Sequence, residues 1–165
     1  MTLSFGAWMI AAVIAAAAGD AESGPLHVLL AGHARVIAIA VAASALDALE
    51  SPPCRRLLTD FEDGGGRSLA NNLAATGLTL TAYASRLYLV DGGIDRQCAN
   101  PGTIAFTAPG SHVIYLCSAR FTAMFGRRNT AKALMIHEIL HTLGLGENPP
   151  ASAEITRQVA SRCQL

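Results

Sequence analysis

The sequence predicts an α+β domain in which a small antiparallel sheet or hairpin packs on helices. Three observations carry this expectation. Apolar residues recur at helical spacing in two long stretches, 26–49 and 130–143. Between them a pair of alternating runs flanks a Pro-Gly turn, the pattern of a hairpin. The order is helices, then strands, then helices, rather than a strict strand–helix alternation. A chain of 165 residues, 52% hydrophobic and 15% charged, supports one domain with a sizeable core and is not a disordered polymer. Acidic and basic residues number 12 each, and this balance gives no electrostatic footprint for nucleic acid and no polybasic membrane tether.

From the N-terminus, Phe5 to Ala18 is an uncharged apolar run, shorter than the roughly 20 residues of a membrane span. With Ala16-Ala17-Ala18 before Gly19 it fits a secretory h-region and cleavage site, although Met1 to Ser4 carry no positive charge. We therefore expect residues 1–24 to be a signal peptide or N-terminal anchor and 25–165 a single domain, secreted or periplasmic, with no stable membrane span once processed. Leu26 to Leu49 reads as a helix of the folded domain, since His27, His33 and Arg35 argue against a span; it ends near Ser51-Pro52-Pro53.

Asp63 to Gly66 is a loop, with Asp60, Glu62 and Asp63 expected as its solvated entry. Ser68 to Ala75 and Thr79 to Ser85 are short helices, the first stopped by Gly77. Arg86 to Val90 is a strand closed by Asp91-Gly92-Gly93. The hairpin pairs Thr103–Thr107 with His112–Cys117 around Pro109-Gly110, a type II turn pattern. Ser118 to Phe125 is a helix ending at Gly126. The main helix runs from Thr130 to Leu143, capped by Asn129 and stopped by Gly144, with Ala133, Ile136, Leu140 and Leu143 toward the core. Ser152 caps a last helix, Ala153 to Arg162.

None of the four cysteines sits in a CxxC pair, which argues against a zinc knuckle or a thioredoxin-type site. Behind a signal peptide an even count suggests two disulfides, and three pairings are open. Of these, Cys98–Cys117 stapling neighbouring strands with Cys54–Cys163 tying down the last helix is the expected one. Four free thiols in a cytosolic protein is the alternative.

His137-Glu138-Ile139-Leu140-His141 is an HExxH motif inside a segment that reads independently as a helix. Residues four apart share a helix face, so both imidazoles can reach one metal ion. Glu138 lies beside that face, placed to act as general base for a water the metal activates. From the residue frequencies of this chain, a chance HExxH is roughly a half-per-cent event. His and Glu among core positions are also costly unless paired.

The segment His137 to Glu147, HEILHTLGLGE, resembles the zincin metallopeptidases, and among them the metzincin pattern HExxHxxGxxH with Glu in the last place. The likeness covers Ile136 to Pro150. It implies a zincin-like fold, a zinc cofactor and a peptide or protein substrate. It also implies that Gly144 ends the helix so that Glu147 can return as third ligand beside His137 and His141. The chain departs from the family in having no Met after Met135, so the family's Met-containing turn is absent. Leu116-Cys117-Ser118-Ala119-Arg120-Phe121 is faintly similar to the LC-x-x-x-F pattern that precedes HExxH in deuterolysin-like peptidases. Glu154 on the last helix is the rival third ligand, as in thermolysin-like enzymes, which take a Glu from a later helix. In zincins an edge strand upstream binds extended substrate; here Val113 to Leu116 would do so, with Tyr115 or His112 a candidate for oxyanion or substrate contact.

The expectation is thus a monomeric zinc-dependent metallopeptidase that hydrolyses peptide bonds, with Glu138 as general base. The alternative is a zinc-stabilised, disulfide-stapled secreted binding or structural protein without turnover.

Overall fold

The computed structural model describes residues 26–124 and 126–165. The apolar run Phe5 to Ala18 and Phe125 lie outside the described residues. In chain order the elements are β1 (His27–Leu29), α1 (Gly32–Glu50), α2 (Pro52–Arg55), α3 (Leu57–Asp60), α4 (Leu69–Ala75), α5 (Leu80–Ala84) and β2 (Tyr88–Asp91). There follow a 3-10 turn (Arg96–Ala99), β3 (Ala105–Phe106), β4 (Val113–Leu116), α6 (Ser118–Ala123), α7 (Arg128–Thr142) and α8 (Ser152–Cys163). The fold is mixed α+β, as the sequence predicts.

The sheet corrects one expectation. It is four-stranded, in the order β1-β2-β4-β3, and only its β3–β4 end is antiparallel, with Phe106 opposite Tyr115. β1 and β2 run parallel, as do β2 and β4. The predicted hairpin is that antiparallel end. Its turn has Gly110 at φ +76° and the Ser111 amide donating to the Ala108 carbonyl at 2.9 Å, the left-handed third position that a type II turn needs. The strand β1 falls inside the stretch expected to be helical. Leu26, Val28 and Leu30 are buried while His27 and Leu29 are exposed, a period of two. Extended Ala31 then separates this strand from α1.

α1 is 19 residues of apolar sequence, long enough by length and composition to cross a membrane. Here Ile37, Ala38, Val41, Ala42, Ala45, Leu46 and Leu49 form one buried stripe in the core. One face of the sheet, Val28, Leu89, Ile114 and Leu116, is buried in the same cluster. α7 completes it: every residue from Met135 to Thr142 is buried.

The two short helices before β2 are present and each begins one residue later than expected, because Ser68 and Thr79 are their caps and accept from the amides of Asn71 and Ala82. Asn129 is not a cap: α7 starts at Arg128, two residues before the expected Thr130, and its N-cap Arg127 makes no side-chain cap. Ser152 is likewise the first residue of α8 rather than its cap. The cysteines form Cys54–Cys163 and Cys98–Cys117 and none is free. The first ties α2 to the end of α8. The second joins the 3-10 turn to the residue after β4, rather than two strands.

Candidate metal centre

α7 presents His137 and His141 on one face one turn apart, with Nε2 atoms 2.8 Å apart and rings 4.7 Å between centroids. The chain leaves the helix through Gly144 at φ +108°, a left-handed position that suits glycine. A Cβ there would meet Asn72 Nδ2 at 3.1 Å and Asp63 Cβ at 3.3 Å. This turn brings Glu147 back over the two imidazoles: its Oε1 lies 3.2 Å from His137 Nε2 and 3.4 Å from His141 Nε2. The three side chains form a group able to hold a metal ion. Tetrahedral bonds of about 2.0–2.1 Å put ligand atoms about 3.3 Å apart, so the spacing suits a single small cation.

The outer contacts orient the donors. His141 Nδ1 lies 2.6 Å from the Leu145 carbonyl, which can only accept, so Nδ1 carries the proton and Nε2 presents its lone pair to the centre. His137 Nδ1 pairs with Thr156 Oγ1 on α8 at 2.9 Å. Burial, with the neighbouring His141, pushes the His137 pKa down to about 4, so the ring is neutral at neutral pH, the form that ligates. Burial alone would raise the Glu147 carboxyl. The Ser152 hydroxyl and the two imidazoles outweigh it and hold the pKa below its ordinary value. Three lone-pair atoms thus converge where a cation would be stabilised.

Glu138 lies beside this group on the wall of a cleft of about 380 Å³ that also exposes His137, His141, Glu147 and Ser152. Burial raises its pKa to about 7; the facing Thr107 hydroxyl tempers the rise and the Glu147 charge adds to it. Glu138 Oε2 and Thr107 Oγ1 are both buried without a hydrogen-bond partner. The opposite wall is β3 with its flanks, Thr103 to Thr107.

Several expectations change here. β4 is flanked on both sides by β2 and β3, so Val113 to Leu116 offer no free ladder edge; the edge strand at the cleft is β3. Tyr115 stacks on Phe106 at 4.9 Å and His112 tilts against Tyr83 at 5.6 Å, and neither lines the cleft. Glu154 hydrogen-bonds Gln158 and pairs with Arg157 on its own helix, outside the metal group. The acidic loop is more than a solvated entry. Asp60 pairs with Arg162 at 2.8 Å, and Asp63 accepts from the amides of Gly65 and Arg67 and from the Asn72 side chain.

Thr107 and Thr156 escape the sequence reading, and Ser152 reads there only as a helix cap, since a lone hydroxyl residue carries no spacing signal for a site. Thr156 could have been sought next to Ile155, which with Val159 marks the buried side of α8. The chain matches no protein-family model, no curated protein and no solved structure.

Proposed function

We propose that the chain is a zinc-dependent metallopeptidase. One observation carries this reading: His137, His141 and Glu147 converge in a cleft that also holds a buried carboxyl with an unpartnered oxygen, Glu138. Among the described residues no fourth His, Cys, Asp or Glu joins the three. That favours an open site over a closed structural one, which takes four protein ligands. Two nitrogens and a carboxylate oxygen are a donor set that zinc accepts.

A bound zinc ion would supply Lewis acidity, polarising a carbonyl and acidifying water. The rest is work for the side chains. Glu138, with a pKa near neutral and one free oxygen, takes a proton from the attacking water and returns it to the departing amine. The Thr107 hydroxyl faces that carboxyl without a formed hydrogen bond and is placed to donate to it once it is charged. β3 offers its free edge to an extended peptide, whose backbone would pair along Thr103 to Thr107 and bring a carbonyl toward the metal group. The two disulfides fit an oxidising compartment, and we place the enzyme outside the cytosol.

The test is cleavage of an unstructured protein substrate by zinc-loaded wild type beside Glu138→Gln. The reading expects turnover that a chelator abolishes, and a variant that keeps its zinc and loses activity. Equal activity in the variant would remove Glu138 from its role. A zinc-loaded wild type inert on peptides would favour the structural alternative.

A further inference from the structure

Two residues far from the motif in sequence hold the turn that carries the third ligand. Asn72, on α4, donates through Nδ2 to the Leu143 carbonyl at 2.9 Å and to Asp63 Oδ2 at 2.9 Å. Asp63 in turn forms an antiparallel bridge with Leu145. Leu145 is fully buried, and its carbonyl is the acceptor that fixes the His141 ring. Gly144, between these two contacts, packs directly on the Asn72 and Asp63 side chains. Nearby, Tyr83 donates to the Thr142 carbonyl at 2.7 Å and the Gly110 amide to the His141 carbonyl at 2.9 Å. The last carbonyls of a helix have no partner within it. Here three successive ones, from His141 to Leu143, are taken by groups from other parts of the chain.

We propose that Asp63 and Asn72 are positioning residues of the metal site. Together they clamp residues 143–145, so that the Leu145 carbonyl orients His141 and Glu147 arrives over the imidazoles. The inference rests on the metal-site reading above. Neither residue touches the metal group, so their effect runs through the turn. A group that hydrogen-bonds a ligating side chain is typically worth 10–100-fold in metal affinity, and the Leu145 carbonyl that this clamp holds is such a group for His141.

The experiment is Zn²⁺ affinity by chelator competition, with the Co²⁺ absorption spectrum as a report on ligand geometry. The proteins are wild type, Asn72→Ala and Leu73→Ala. Leu73 is the control: it is buried on the same helix but lines a separate groove with Leu58 and Leu78. Asn72→Ala should lose about 10-fold or more in Zn²⁺ affinity and shift the Co²⁺ bands. Leu73→Ala should unfold at lower temperature yet bind Zn²⁺ as wild type does. Should Asn72→Ala not fold, Asp63→Asn carries the same test, since it removes the charge facing Asn72 and leaves the Asn72–Leu143 hydrogen bond; a weakened affinity is again expected. Wild-type affinity and spectrum in the folded variant would overturn the positioning role while leaving the metal site intact. No Zn²⁺ binding by wild type would instead overturn the metal site itself, and the clamp with it.

Discussion

At the scale of single residues, the centre depends on which form each donor is held in. The His141 tautomer is set by one carbonyl, and the His137 ring is kept neutral by burial. Thr156 Oγ1 holds the far nitrogen of His137, so Thr156→Val should weaken Zn²⁺ binding by about 10-fold or more. Chelator competition reads it directly, and unchanged affinity would make that hydrogen bond incidental. Tyr83→Phe leaves the Thr142 carbonyl unpaired inside the protein and should lower stability by about 1–3 kcal/mol in urea unfolding. Asp63 gives a pH-dependent prediction. Its carboxyl is held down at about 2 by the Asn72 side chain first and then by the Arg67 and Gly65 amides, against an ordinary value of 3.8. A depressed pKa stabilises the fold above the unfolded value and ceases to do so as pH falls through the folded one. Asp63→Asn should therefore be less stable than wild type at neutral pH, and the gap should close between pH 3.8 and about 2. A gap that is constant with pH would show that the charge is not what matters.

At the scale of elements, what was legible in the sequence had a local cause. The HExxH helix, the Gly144 stop and the Pro109-Gly110 turn are each written in a handful of adjacent residues, and the structure has all three. The parallel pairings of β1 with β2 and of β2 with β4 are not local. β1 is three residues in an apolar run whose period of two is masked because its exposed Leu29 is as apolar as its buried Val28. The expected role of Val113 to Leu116 failed for the same reason: whether a strand is an edge depends on what pairs with it, which no local pattern states. Caps misled in a different way. Asn129 and Ser152 are good cap residues by type, but α7 starts two residues sooner than expected and α8 one, and the Ser152 hydroxyl instead helps hold the Glu147 pKa down. The Cys98–Cys117 link, with Arg120 holding the Cys98 and Thr103 carbonyls, fixes the loop that forms the outer cleft wall. Replacing both cysteines by Ser should cost about 3 kcal/mol for a loop of this length. Because Thr103 and Ile104 line the cleft, the proposed peptidase activity should show a KM that rises more than kcat falls. An unchanged KM would separate that wall from substrate binding.

At the scale of the whole molecule, the core and the centre are one construction. α7 is packed on α1, α8 and the sheet, so its polar motif sits among Ile136, Ile139 and Leu140 and lines the cleft. The Cys54–Cys163 link spans 109 residues and anchors α8, which supplies Thr156 and Ser152 to the donors. Its loss should cost about 4–5 kcal/mol, more than loss of the shorter link. A metal that binds only the folded chain adds stability by mass action. Chelation should accordingly lower the melting temperature of wild type and leave Glu147→Ala almost unaffected. The most direct test of the centre is the zinc content of purified protein, wild type beside Glu147→Ala and Glu154→Ala. The arrangement of His137, His141 and Glu147 predicts one zinc per chain in wild type and in Glu154→Ala, and little in Glu147→Ala. Full zinc in Glu147→Ala, or none in a folded, oxidised wild type supplied with metal, would contradict it.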